Sequence, residues 1–290
     1  MVNLENCFQK STLTGETALS LEFYDRSAQA ILDEYLLDFI DYETFLDHSH
    51  PPANHIDYRP LIDFCKANNL PVIAANCSRR HSRLMSRQGP EAIEKLAEES
   101  EIHRNFLLPT LPVQPASQQY EANFRATMGI VGKKDRHFII EEQTNFKNNP
   151  ICHVAKFAFI FLHLESLKSL WWTIFNIQYS MHAFFVQGSE GLDDNRITRM
   201  LGAQSLWDAT MAHSIIKALY RANLVVHVAG YFHIKSNLGI PEHLAHYGGS
   251  LEYGQTSIVM LPEEDLVFTE SEHKNAADLV VLTDINAIDL

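Results

Sequence analysis

Short runs of aliphatic and β-branched residues recur along this chain in the company of helical patterns, and they constrain its fold more than any other feature. They are Thr17-Ala18-Leu19-Ser20-Leu21-Glu22-Phe23, Pro71-Val72-Ile73-Ala74-Ala75-Asn76, Leu224-Val225-Val226-His227-Val228-Ala229-Gly230, Ser257-Ile258-Val259-Met260-Leu261 and Asp278-Leu279-Val280-Val281-Leu282. A strand wetted on one face alternates apolar and polar residues, whereas runs this continuous belong to strands covered on both faces. Helical patterns occupy residues 27–39, about 58–67 and 196–222. The expectation is an α/β fold, a mostly parallel central sheet flanked by helices. In such sheets function gathers beyond the carboxyl ends of the strands, which directs attention to residues 22–26, 76–80 and 230–233.

The chain has 290 residues, 46% of them apolar and 20% charged, so it can bury a sizeable core. That length suits one large domain, residues 1–290, carrying an insertion. Lys and Arg number 23 against 36 Asp and Glu, a formal charge of -13 with no basic stripe to offset it. A phosphate backbone is therefore excluded as a partner. The four cysteines, Cys7, Cys65, Cys77 and Cys152, are far apart and form no C-x-x-C pair. The residues before Cys7 show no signal peptide and no lipoprotein cleavage box.

The middle of the chain breaks the pattern. Residues 109–120 carry Pro109, Pro112 and Pro115 and read as an extended connector, with a helix expected at 117–128. From 146 to 190 the chain reads as an apolar, helical insertion. Its stretch from Ile151 to Gln187 has Lys156, Glu165 and Lys168 as its charges. Polar residues such as Asn176 and His182 interrupt it, which favours packing on the domain over spanning a membrane. Membrane association through 151–187 stays open, as does an origin outside the working protein.

Several residues could carry chemistry. Glu22 ends a buried strand, where an acid needs a partner, a metal or a cleft, and an ion pair of Glu22 or Asp25 with Arg26 would also satisfy it. His233 follows Gly230 and Tyr231 at the end of another strand, placed to bind a metal, move a proton, touch a haem edge or simply hydrogen-bond. Asn76 to Arg80 opens a helix with Ser78 as its expected cap, and Arg79 could hold a carboxylate. His243 and His246 read as surface residues, there being no acid at metal-site spacing. Trp207 and Met211 lie on one face of the 196–222 helix, where they pack in a core or line a flat apolar pocket.

Three segments taken together resemble a known family. They are residues 18–26 (Ala18 to Arg26); Asp57-Tyr58-Arg59-Pro60-Leu61 with residues 70–76; and Ala203-Gln204-Ser205-Leu206-Trp207-Asp208-Ala209-Thr210-Met211-Ala212 leading into residues 225–233. This pattern, over residues 4–130 and 196–285, is similar to the ChaN-like haem-binding uptake family, grouped with the Tiki and erythromycin-esterase-like superfamily. The resemblance implies a central parallel sheet, a cleft at the strand ends, haem binding and iron acquisition, often on a bacterial surface lipoprotein. It aligns Glu22 with the family's strand-end acid and His233 with its late histidine, while Arg26, Asn76 and Trp207 match cleft or support positions. Members normally open with a strand ending in G-E-x-H, which this sequence does not show, and they have a shorter link in place of 146–190.

A haem- or iron-related binding protein is the leading expectation, more fitting than an enzyme. A porphyrin site needs an apolar slot, an axial His or Tyr, and cations for the propionates. Trp207 and Met211, His233 or Tyr58, and Arg26 or Arg79 are the candidates, with Asn76 in support. The alternative is a metal-dependent hydrolase using Glu22 and His233 on a divalent ion. An inactive truncated copy with an exposed sheet edge, open to pairing with a second chain, is the third.

Overall fold

The computed structural model describes residues 17–51, 55–127, 157–158, 194–263 and 266–284. The insertion expected at 146–190, and with it the membrane expectation for 151–187, lies outside the described residues apart from 157–158. No helix among the described residues is long and apolar enough to cross a membrane.

Among the described residues, six strands form one sheet: β1 (Thr17–Asp25), β2 (Val72–Asn76), β3 (Phe157–Ala158), β4 (Leu224–Gly230), β5 (Ile258–Glu263) and β6 (Leu279–Asp284), in the order β2-β1-β4-β3-β5-β6. β1 runs parallel to both β2 and β4, and β5 parallel to β6. The two-residue β3 lies antiparallel between β4 and β5, pairing Phe157 with Gly230 and Met260. The long runs seen in the sequence are the long strands, and the architecture is α/β as expected.

Helices cover both faces. α1 (Gln29–Leu36), α2 (Tyr42–Ser49) and α3 (His55–Ala67) bury Leu32, Phe45 and Ile62 against Leu19, Leu21 and Val72 of the sheet. Each of these buried side chains contributes about 1.5–3 kcal/mol relative to exposure. The other face receives α7 (Asp194–Leu219) and α8 (Ile240–Gly248), whose Met211, Ile215, Ile240 and Leu244 meet Ala18, Val225 and Val259. α4 (Arg79–Gln88) and α5 (Pro90–Glu99) pack on the flank of α7 through Met85, Ile93 and Leu206. α6 (Gln118–Thr127) closes the start of α7 with Tyr120 and Phe124. A last turn, α9 (Glu270–His273), precedes β6.

Two helices absent from the sequence reading carry ordinary start signals. Asp41 accepts from the Thr44 amide at 2.8 Å to cap α2, and Pro90 occupies the first turn of α5 after Gly89. Ser78 does stand at the start of α4, but its hydroxyl donates to Asp25 Oδ2 at 2.9 Å rather than capping the helix. His243 is a second correction: it is 4% exposed, because α8 turns it inward while His246 faces solvent.

One irregularity positions the site. Between Leu21 and Asp25 the pairing of β1 with β2 slips, so that β2 covers the same stretch with Ala74 to Asn76. Bulges of this kind bend a strand and re-aim its side chains. Glu22 sits inside it.

Candidate functional site

The bulge turns Glu22 toward the turn that ends β4. Glu22 Oε2 accepts from the Gly230 amide at 2.5 Å, and Glu22 Oε1 lies 3.2 Å from His233 Nε2. His233 occupies the short 3-10 turn Tyr231–His233 directly after β4. Its other nitrogen, Nδ1, hydrogen-bonds the Asp208 carboxylate, and Gln204 Nε2 lies 3.2 Å away. Asp208 in turn accepts from the Tyr120 hydroxyl at 2.5 Å. Strand β1, the turn after β4, helix α7 and helix α6 are thereby joined by one buried polar chain.

Its electrostatics follow from its neighbours. Burial alone would lower the His233 pKa, but the Glu22 and Asp208 charges and their hydrogen bonds hold it well above the ordinary imidazole value. Burial alone would raise Glu22, yet the His233 charge, its hydrogen bond and the Gly230 amide hold the carboxyl below its usual range. The group is an imidazolium clamped between two carboxylates. Burying such charges is costly, and losing either partner would strand the others. Desolvation and the Asp208 charge push the Tyr120 phenol well above its usual range.

A second imidazole stands beside this chain. His227 is in the middle of β4, opposite Ser20 of β1 in the sheet register, and its Nδ1 lies 2.9 Å from Ser20 Oγ. Its Nε2 is buried and has no hydrogen-bond partner. Burial pushes its pKa down to about 4, more than the Glu22 charge raises it, so the ring is neutral. His227 also lines a cavity of about 450 Å³. Ile215 and Leu219 of α7, Val225 of β4, Ile240 and Leu244 of α8, and Ile234 give this cavity its apolar walls. Residues 252–257 form a polar side, with Glu252 as the charged residue among those lining it. The hollow lies along the first half of β4 under α8, not over the carboxyl ends of the strands.

The structure brings Glu22 and His233 into contact, sets Trp207 against the His233 ring, and separates the other expected residues from them. Trp207 is half-buried and meets the His233 ring edge-on, with centroids 6.4 Å apart. Met211, with no exposure, is packed in the core between α7 and the sheet. Arg26 forms no pair with Glu22 or Asp25. Its guanidinium donates to Leu108 O at 2.7 Å, to Thr210 O at 2.9 Å and to Ser214 Oγ at 2.9 and 3.0 Å, and lies 3.1 Å from His213 Nδ1. Tyr58 stacks on Phe23, ring centroids 3.8 Å apart, beside the cluster under α1 to α3 on the other face of the sheet. Asn76 turns its carbonyl oxygen to the Cys77 amide at 2.8 Å, and Arg79 is exposed at the start of α4. Among the described residues, no group of three His, Cys, Asp or Glu side chains is placed to hold a metal ion.

Asp208, Tyr120, His227 and Gly239 have no role in the sequence reading, although two of them left a trace there. An acid on the core-facing part of an apolar helix, and a histidine in the middle of a buried strand, both require partners. Gly239 has φ +68°, and a Cβ there would stand 2.6 Å from His233 O and 2.9 Å from the Tyr120 ring. Glycine is what lets α8 begin against the polar chain, with Glu242 accepting from the Gly239 amide at 3.0 Å.

Residues 4–244 match the family described as haem-binding uptake, Tiki superfamily, ChaN. Among solved structures, one titled as cofacial heme binding to ChaN of Campylobacter jejuni is similar at 14% identity, covering 87% of this chain and 73% of its own, with a TM-score of 0.41. No curated protein matches. The match over most of the sequence settles the affiliation: the chain belongs to the haem-binding uptake family of the Tiki superfamily, that of ChaN.

Proposed function

We propose that this protein binds haem as part of haem or iron uptake or handling, and that it works as a binding protein. The observation that carries the reading is the cavity of about 450 Å³ beside β4, with apolar walls from α7, α8 and β4. Ligand cavities commonly measure about 300–1,000 Å³ with mostly apolar linings and a few polar groups. Family membership supplies the ligand class.

The polar chain supports that cavity. Glu22, His233 and Asp208 hold β1, β4 and α7 at fixed spacing next to His227, and Trp207 meets the His233 ring edge-on. Arg26 ties the end of β1 to α7 and to the residue 108 carbonyl. Tyr58, Asn76 and Met211 support the fold away from the cavity, and Arg79 is exposed at the start of α4. Bound haem would supply the iron chemistry, and the chain's part would be to offer the macrocycle the apolar walls from α7, α8 and β4.

The test is a titration of ferric haem into purified protein, followed at the Soret band. The expected result is a shifted Soret band that saturates near one haem per chain at micromolar protein. An unchanged haem spectrum would refute the reading.

A further inference from the structure

We infer that the imidazoles of His81 and His103 form a site for one divalent first-row transition-metal ion of the zinc type, with water completing its coordination. The site shares no residue with the Glu22–His233–Asp208 chain or with the lining of the cavity under α8. It does not depend on the haem-binding reading above.

β2 ends at Asn76 and α4 begins at Arg79, so His81 stands just beyond the carboxyl end of a strand, where sheets of this kind carry their sites. It is 2% exposed, and neither of its ring nitrogens has a hydrogen-bond partner among the described residues. A buried imidazole with two unmet polar atoms calls for an explanation, and the role of a metal ligand supplies one. Its ring neighbours that of His103, with centroids 5.2 Å apart and planes inclined by 75°. Metal–nitrogen bonds of about 2.0–2.1 Å put the centroids of two imidazoles on a tetrahedral ion about 5 Å apart. His103 is prepared for the part. Its Nδ1 lies 2.7 Å from Ser100 Oγ, and a proton donated there leaves the lone pair on Nε2, as outer partners of ligating histidines do. His103 also opens a π-helical turn, His103–Leu107, a form often found at functional sites.

The charges around the pair are mixed. Burial first, then the Arg80 and His103 charges, push the His81 pKa down to about 4, so the ring is neutral and has a lone pair to give. Asp25 acts on it in the opposite sense and offsets Arg80. The Asp25 carboxylate is itself engaged, accepting from the Ser27 amide at 2.8 Å and the Ser78 hydroxyl at 2.9 Å, so it contributes charge rather than a third ligand. Two neutral imidazoles suit zinc, copper or nickel, whereas calcium and magnesium require oxygen ligands. The bound ion fastens the first turn of α4 to the π-helical turn and leaves its remaining positions to water.

The experiment is calorimetric titration of zinc chloride into the full-length, chelator-treated protein at neutral pH, beside the variants His103→Gln, Ser100→Ala and His246→Gln. The wild-type protein is expected to bind one zinc ion per chain. His103→Gln, at a half-buried position on a surface turn, weakens that binding about tenfold or more. Ser100→Ala, which releases the His103 ring, weakens it about tenfold. His246→Gln removes an exposed histidine outside the site and leaves the affinity unchanged. Cobalt(II) in place of zinc gives visible absorption bands that the wild-type protein shows and His103→Gln loses, a signature that a purely structural role for His103 would not produce. Absence of saturable zinc binding by the wild-type protein overturns the inference, as does a His103→Gln protein that keeps the wild-type affinity. Loss of binding in His246→Gln would place the ion on surface histidines and overturn it equally. Should His103→Gln fail to fold, unchanged zinc affinity in Ser100→Ala overturns it instead. Haem takes no part in the test, so failure of the haem reading is a distinct result.

Discussion

Glu22 and Asp208 grip the same imidazole from opposite sides: one carboxylate faces His233 Nε2 at 3.2 Å and the other hydrogen-bonds Nδ1. The acids come from a strand and a helix far apart in sequence, so the imidazolium between them fastens β1 to α7 at the turn after β4. The arrangement works as a lock, with each charge compensated by its neighbours.

Removing one side of the lock should be severe. Asp208→Ala leaves the Tyr120 hydroxyl and a buried imidazolium facing a vacant site. The expected loss is about 3–5 kcal/mol, the range for breaking a buried charge pair. Urea denaturation monitored by circular dichroism measures it. A loss below about 1 kcal/mol would show that the network is not buried in solution.

Arg26 offers a second test in a different part of the fold. Its donors satisfy two backbone carbonyls and the Ser214 hydroxyl at once. A lysine cannot present a planar fork to three acceptors. Arg26→Lys should cost about 2–4 kcal/mol, several charge-assisted hydrogen bonds being lost together. Near wild-type stability would mean that Lys reaches the same acceptors.

Two glycines with similar backbone angles separate strain from crowding. Gly239 and Gly249 have φ +68° and +56°, but a Cβ at Gly249 meets nothing within 4 Å, whereas one at Gly239 strikes His233 O and the Tyr120 ring. Gly249→Ala should cost about 1 kcal/mol from the backbone alone. Gly239→Ala should cost at least about 2 kcal/mol more, since the obstruction includes backbone that cannot give way. Thermal melts of the two variants side by side decide it.

The pH dependence of stability follows from the buried neutral histidines. Burial, the leading cause in each, pushes His81 and His227 down to about 4 and His213 down to about 3. In the unfolded chain these rings protonate near 6.5. Between those limits the unfolded state binds more protons, so their contribution is complete above about pH 6.5 and lost as pH falls toward 4. Asp33, raised by burial to about 6, opposes them, because there the folded state holds the extra proton. These three rings, with His243 lowered by burial in the same direction, outweigh the one carboxyl and give a net fall of about 2–3 kcal/mol per pH unit on going from about pH 6 to about pH 5. Urea midpoints across that interval measure the slope, and a flat profile would contradict it. His81, with neither nitrogen partnered, is the cleanest probe. His81→Phe should flatten the acid limb while leaving stability near neutral pH unchanged or higher.

The sequence by itself determined the layers. Uninterrupted runs such as residues 224–230 can be stable only where both faces are covered, and that local demand alone predicts a parallel sheet between helices. It also marked Glu22 and His233, because strand ends in such sheets emerge at a common rim. Tertiary structure decided the rest. Whether an acid and an imidazole at a rim bind a ligand or bind each other depends on which side chains arrive from elsewhere. Asp208 and Tyr120 arrive from α7 and α6, so His233 becomes a buried ion rather than an open ligand. Arg26 was visible as a charge beside two acids, yet α7 supplied it with carbonyls and a hydroxyl that no spacing rule could reveal. The orphaned nitrogen of His227 and the cavity beside it arise from packing of α8 against β4. Periodicity along one chain records which face a residue takes, but not the distance to a residue on another element, and the chemistry of this protein is set by those distances.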